Sequence, residues 1–147
     1  MGKLRNGILS ITSKLDWLPG LVSRLTIAGI FLQTGWGKLH HLDKVTQFFA
    51  SLGIPAPQLQ APFVATVEFG GGLLILLGLF TRLAAIPLIG TMVVAIATVK
   101  IHEVHDYSDF LSFPEYLFIV LLVWLIIKGA GALSVDYFLA KRCEEKE

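Results

Sequence analysis

Apolar residues fall in four long blocks, at about 21–39, 61–80, 83–101 and 114–127, separated by short polar stretches. Blocks this long read as helices. The others are arranged around the second, APFVATVEFGGGLLILLGLF. At about 1.5 Å per residue it makes about 30 Å of helix, the thickness of a bilayer's hydrocarbon core. Its single ionisable side chain is Glu68. A carboxylate at that depth costs on the order of 3 kcal/mol or more unless it finds a partner. Gly70-Gly71-Gly72 follows, a flat surface on which another helix can lie close. A costly charge beside a smooth docking face predicts a small bundle holding a polar site below the membrane surface. The alternative is that Glu68 only ties two helices together.

The first block follows Pro19-Gly20, a chain break, and carries Arg24 near its start and Gln33, Thr34, Trp36, Gly37 and Lys38 near its end. Gly29, Gln33 and Gly37 share one face at four-residue spacing. Trp36 also suits a simple interfacial belt. In residues 40–60, Asp43 reads as an N-cap, and Val45, Phe48, Phe49 and Leu52 as a short amphipathic helix stopped by Gly53. Pro55 and Pro57 hold residues 54–58 extended. This stretch predicts an interfacial helix and lid over the bundle mouth, or a plain connector. The link Gly78 to Arg82 forces a helical hairpin. In the third block Thr91, Ala95, Thr98 and His102 make a small, polar stripe that should face protein or a cavity. A polar loop, 103–113, leads to Pro114-Glu115, a standard helix start.

Composition agrees with a lipid setting. Of 147 residues, 54% are hydrophobic and 16% charged, against about 45–50% and about 25% in soluble domains. The expectation is an all-α, integral-membrane four-helix bundle with a short interfacial helix between spans one and two. Residues 1–18 read as an amphipathic segment on the cytoplasmic leaflet, not a cleavable signal, 19–136 as the membrane domain and 137–147 as a charged cytoplasmic tail. Net charge is +1, which leaves no basic excess for nucleic acid. Cys143 is the single cysteine, so no internal disulfide or Cys-x-x-Cys centre exists. His40-His41 and the His102/His105 pair lack companions for a metal site, and no phosphate-binding glycine loop occurs.

Four spans put both termini on one side. With them cytoplasmic, Lys3, Arg5, Lys14, Arg24, Arg82, Lys128, Lys141, Arg142 and Lys146 lie inside, and only Lys38, Lys44 and Lys100 outside. That split obeys the positive-inside rule. Gln33, Lys38, Glu68, His102 and Glu115 then meet in the outer half of the bundle. Lys38 is the first partner for Glu68, Glu115 is a competing carboxylate, and His102 is placed to relay a proton. Such a set suits a ligand with carbonyl or phenol oxygens on an apolar body, a quinone for instance. It equally suits a structural network. Glu68, Lys38 and His102 are the candidate reactive residues; Gln33, Trp36, Glu115 and Thr98 are the candidate ligand contacts.

In these residues the chain resembles the DoxX family of small four-helix membrane proteins. The resemblance rests on Gly35-Trp36-Gly37-Lys38-Leu39, on residues 49–57, on Val67-Glu68-Phe69-Gly70-Gly71-Gly72 and on Leu77-Gly78-Leu79-Phe80-Thr81-Arg82. Glu115-Tyr116 and Gly129-Ala130-Gly131 extend it, with Ala130 where the family often has proline. The resemblance implies a bacterial inner-membrane, multi-pass protein. It points to a component of a quinone-linked redox system, because the family includes subunits tied to quinol oxidase and to thiosulfate:quinone oxidoreductase. Other members carry oxidoreductase names, act as anchors in oxidative-stress complexes, or resemble eukaryotic proteins that assist assembly. Partners so implied are membrane lipids, a quinone or redox protein, and a second copy of the chain. The runner-up is a non-enzymatic assembly, chaperone or anchor protein, with transport of a small solute third.

Overall fold

A computed structural model describes residues 15, 17–104, 106–131 and 133–144, without the side chains of 102, 103, 143 and 144. The amphipathic reading of residues 1–18 lies almost wholly outside the described residues, as does the role given to the His102 side chain. The described residues hold seven α-helices, one 3₁₀ turn at Lys100–Glu103, and no strand. In chain order they are α1 (Leu18–His40), α2 (Leu42–Ser51), α3 (Pro57–Leu77), α4 (Thr81–Thr98), α5 (Tyr107–Ser112), α6 (Pro114–Lys128) and α7 (Val135–Glu144).

Several boundaries differ from expectation. Pro19 does not break the chain; it sits in the first turn of α1, where a missing N–H costs nothing. Pro57 likewise opens α3, so the segment expected to be extended is already helical from 57 onward. Asp43 lies in the first turn of α2 and is not its cap, a place taken by His41. The polar loop contains α5, closed by a capping box between Asp106 and Asp109. The charged tail is helical from Val135 to Glu144.

The earlier start of α3 changes the depth of Glu68. It lies eleven residues from Pro57, about 16 Å along the axis and so in mid-helix.

The helices pack as α1 along α3 and α4 along α6, with α3 and α4 joined as a hairpin and α1 touching α6. Ile27, Ala28 and Phe31 meet Ile75, Ala85, Leu88, Leu122 and Leu125 in one core. The tightest seam is between α1 and α3. A Cβ on Gly35 would stand 2.4 Å from the Phe69 amide nitrogen, and one on Gly72 3.0 Å from that of Leu32. Gly71 faces the Leu88 side chain of α4. The triple glycine therefore docks two helices through its second and third members. On α1 the docking residue is Gly35, whereas a Cβ on Gly29 or Gly37 would meet nothing within 4 Å.

The α3–α4 turn is latched from afar. Gly78, at φ +66°, ends α3, with the Gly78 amide bonding Ile75 O at 3.1 Å and the Leu79 amide bonding Leu74 O at 2.9 Å. This is a Schellman closure. The Asp136 carboxylate accepts from the amides of Phe80 at 2.8 Å and Thr81 at 3.1 Å, capping α4. The buried Arg24 of α1 donates to Ala130 O at 2.9 Å and Leu133 O at 2.6 Å. A side chain at 78 would strike Ser134 Cβ at 2.5 Å, so glycine is required by both conformation and space.

Among the described residues two helices, α3 and α4, are long and apolar enough to cross a membrane. Helix α6 has 15 residues, about 22 Å, yet its outer face exposes Leu117, Val120, Val123, Trp124 and Ile127.

The seam generates a paired prediction. Gly35→Ala forces overpacking against the Phe69 backbone and should destabilise the fold by about 1–3 kcal/mol. Gly37→Ala meets open space and should leave stability unchanged or slightly raised. Thermal unfolding of the two variants in detergent checks the contrast.

Candidate functional site

Gly35 fixes where α1 touches α3, and Lys38 follows it by nearly one helical turn. Its Nζ donates to Glu68 Oε1 at 2.5 Å, across the seam. Glu68 is 1% exposed, whereas Lys38 keeps partial contact with the surface, as a long amphipathic side chain can. From the Gly35–Phe69 contact, α1 runs on for five residues and α3 for twelve toward the same end. Helix α3 thus outruns α1 by about 10 Å. Helix α2 packs on that overhang.

Beneath this roof lies a cavity of about 840 Å³. Its roof is Val45, Phe48, Phe49 and Leu52 with Gly53 to Pro55. Its walls come from α1, α3, α4 and α6, and Lys38, Glu68, Thr98 and Glu115 all line it. The expected stripe on α4 contributes Thr91, Ala95 and Thr98. Cavity-lining Phe63, 62% exposed, and Val94, 50% exposed, form an outer edge between α3 and α4. Near the hairpin turn, by contrast, these helices are in contact through Gly71 and Leu88. The chamber therefore reaches the surface sideways, at Phe63 and Val94.

Its polar groups are mostly acceptors. Glu68 Oε2 and Glu115 Oε2 are buried and have no hydrogen-bond partner among the described residues. The Thr91 hydroxyl donates to Leu88 O at 2.8 Å and the Thr98 hydroxyl to Val94 O at 2.7 Å. Both protons are therefore committed, and the lone pairs remain. Donors come from Lys38 and from the Gln60 amide, which also lines the cavity.

Two proposed contacts lie elsewhere. Gln33 is exposed and does not line the cavity; Thr34, its neighbour, does. Trp36 is 55% exposed and packs its ring 4.2 Å from His40 and 5.6 Å from Phe69. The Nδ1 atoms of His40 and His41 bond the carbonyls of Trp36 and Gly37, which ties both rings to the end of α1.

Gln60 was missed although Gln60, Val64 and Glu68 recur at four-residue spacing. Beginning the second span at residue 61 hid that face.

The DoxX family model matches residues 20–101, more than half of the chain. Inner membrane protein YqjF of Escherichia coli is 30% identical over 129 residues, 88% of this chain and 98% of the relative. The Bacillus subtilis protein named "Putative oxidoreductase CatD" is 31% identical over 82% of this chain and 87% of its own length. Inner membrane protein YphA of Escherichia coli is 32% identical over 79% and 86%. No solved structure matches. On the family match and on relatives it spans nearly end to end, the chain belongs to the DoxX family.

Proposed function

We infer that this chain is a four-span bacterial inner-membrane protein with both termini cytoplasmic. Its outer-half cavity binds a quinone-like or other lipophilic ligand as a component of a redox system. The observation that carries this reading is the cavity of about 840 Å³, with two buried, unpartnered carboxylate oxygens and one lysine in otherwise apolar walls. Ligand pockets typically have that size and that sparse polarity.

The membrane setting is supported by the lengths of α3 and α4, the exposed apolar face of α6 and the names of the relatives. Soluble monomers rarely expose contiguous apolar surface on that scale. The shorter α6 is accommodated by local thinning of the bilayer and by Lys128 reaching the headgroups. The side opening at Phe63 and Val94 then faces lipid, and a ligand dissolved in the bilayer enters without crossing water.

Inside, a ligand carbonyl accepts from Lys38 Nζ or the Gln60 amide, and a ligand hydroxyl donates to Glu68 Oε2 or Glu115 Oε2. Two carboxylates and one lysine thus offer a ligand both acceptors and a donor. Reduction of a quinone to a quinol takes up two electrons and two protons. Carboxyl groups deliver protons to the ring oxygens, and a partner redox protein supplies the electrons.

The second reading is an assembly or anchor protein with structural charges. It is favoured by the direct Lys38–Glu68 bond, which ties α1 to α3 at their seam.

Protein extracted in mild detergent should carry quinone, seen by its ultraviolet spectrum and its bleaching on reduction. Glu68→Gln should lose most of it while staying folded. A stable wild type that is empty in every extraction would overturn the ligand reading. The ion pair itself makes a further prediction. Lys38→Met strands a buried carboxylate and should cost about 3–5 kcal/mol, whereas Lys38→Met with Glu68→Gln should recover most of the loss. A double-mutant cycle on unfolding in detergent reads this coupling.

A further inference from the structure

At the other end of the molecule, away from the cavity, a second recess of about 520 Å³ lies between the start of α4 and the end of α6. Arg82, Lys128 and Tyr137 line it, with Phe80 and Leu83 on its apolar side. The floor is the 129–134 segment, whose Gly129 and Gly131 have φ of +78° and +81°. A Cβ on Gly129 would sit 3.6 Å from Arg82 Nη2, so the guanidinium lies directly over this floor.

The charges do not cancel. Asp136 is the carboxylate among the lining residues, and both its oxygens are taken by the amides of Phe80 and Thr81. Arg24 stands behind the floor, held by the carbonyls of Ala130 and Leu133, and its Nε has no hydrogen-bond partner among the described residues. Three cations thus surround one committed carboxylate. Arg82 has no hydrogen bond or ion pair among the described residues, and Lys128 has only the face of Trp124, 5.5 Å from its ring centre. Phe80 and Leu83 beside them are 58% and 65% exposed. An uncommitted Arg–Lys pair over a glycine floor, flanked by exposed apolar side chains, fits a phosphate with hydrocarbon attached.

We propose that this recess is a binding site for a phosphate group, that of an anionic phospholipid of the leaflet it faces. Arg82 grips the phosphate oxygens in its planar fork, Lys128 adds a point charge, and the acyl chains run along Phe80 and Leu83. The identification of the phosphate's carrier as a lipid rests on the membrane reading above.

The test uses the full chain in detergent, titrated with phosphatidylglycerol or phosphatidylcholine and read by native mass spectrometry. Wild type should retain phosphatidylglycerol in preference. Arg82→Gln with Lys128→Gln should weaken that retention about thirty-fold, at about fivefold per cation. Lys141→Gln with Arg142→Gln removes equal charge from the exposed end of α7 and should change it little. Inorganic phosphate is titrated separately. Displacement of phosphatidylglycerol by phosphate in the millimolar range, lost in the Arg82/Lys128 variant, supports the site and assigns it to free phosphate as well. Equal retention of the two lipids overturns the proposal, as does an equal loss from both double variants, which would mean general surface attraction. Solubilised protein has no leaflets and the readout ignores the cavity, so a wrong orientation or an absent quinone leaves these outcomes unchanged.

Discussion

The arrangement depends on a carboxylate that cannot be left alone. Glu68 is buried in the middle of α3, where ionisation without a partner is costly, and the partner comes from α1. That partnership requires the helix backbones nearly to touch, which Gly35 and Gly72 permit. The ion pair and the glycine seam are one device: small residues bring the helices together, and the pair fixes how they are aligned. Only one carboxylate oxygen is used in doing so. The other has no partner among the described residues, and Glu115, which lines the same cavity from a different helix, adds a second such oxygen.

The two ends of the molecule are built on opposite principles. Around the α3–α4 turn, bonds from Arg24 and Asp136 tie α1, the turn and the 129–136 segment together, with the smaller recess on their outer side. Toward the other end residues of α3 and α4 line the larger cavity, and the short α2 roofs it. The chamber therefore forms at the α2 end without any break in the helices that wall it.

Much of this was legible in the sequence, for physical reasons that can be named. Long apolar blocks, a lone buried acid and an adjacent glycine triplet are strong signals, because each states a cost or a contact that packing must answer. The Lys38–Glu68 pair follows from opposite charge at matching depth in antiparallel helices. Thr98 and Glu115 line the cavity with them, whereas Gln33 and Trp36 turn outward. Depth along the first span places both near Lys38, but a helix turns neighbours about 100° apart. Gly35 and Thr34 carry the contacts instead. Prolines mislead the reading of boundaries: Pro19 suggests a break and Pro57 an extended segment, but each occupies a first turn. The role of Asp136 had no local signal, since its targets lie 55 residues or more away.

The central claim is that Glu68 is answered by Lys38 and shares its remaining oxygen with a ligand chamber. An experimental structure of the full chain in lipid nanodiscs addresses it most directly. The account predicts the carboxyl of Glu68 bonded to the Lys38 ammonium across the Gly35–Phe69 contact, its second oxygen bordering density for a flat-headed, tailed ligand beneath α2. A Glu68 carboxyl turned out toward acyl chains, with Lys38 bonded elsewhere and the cavity filled by protein side chains, would contradict it.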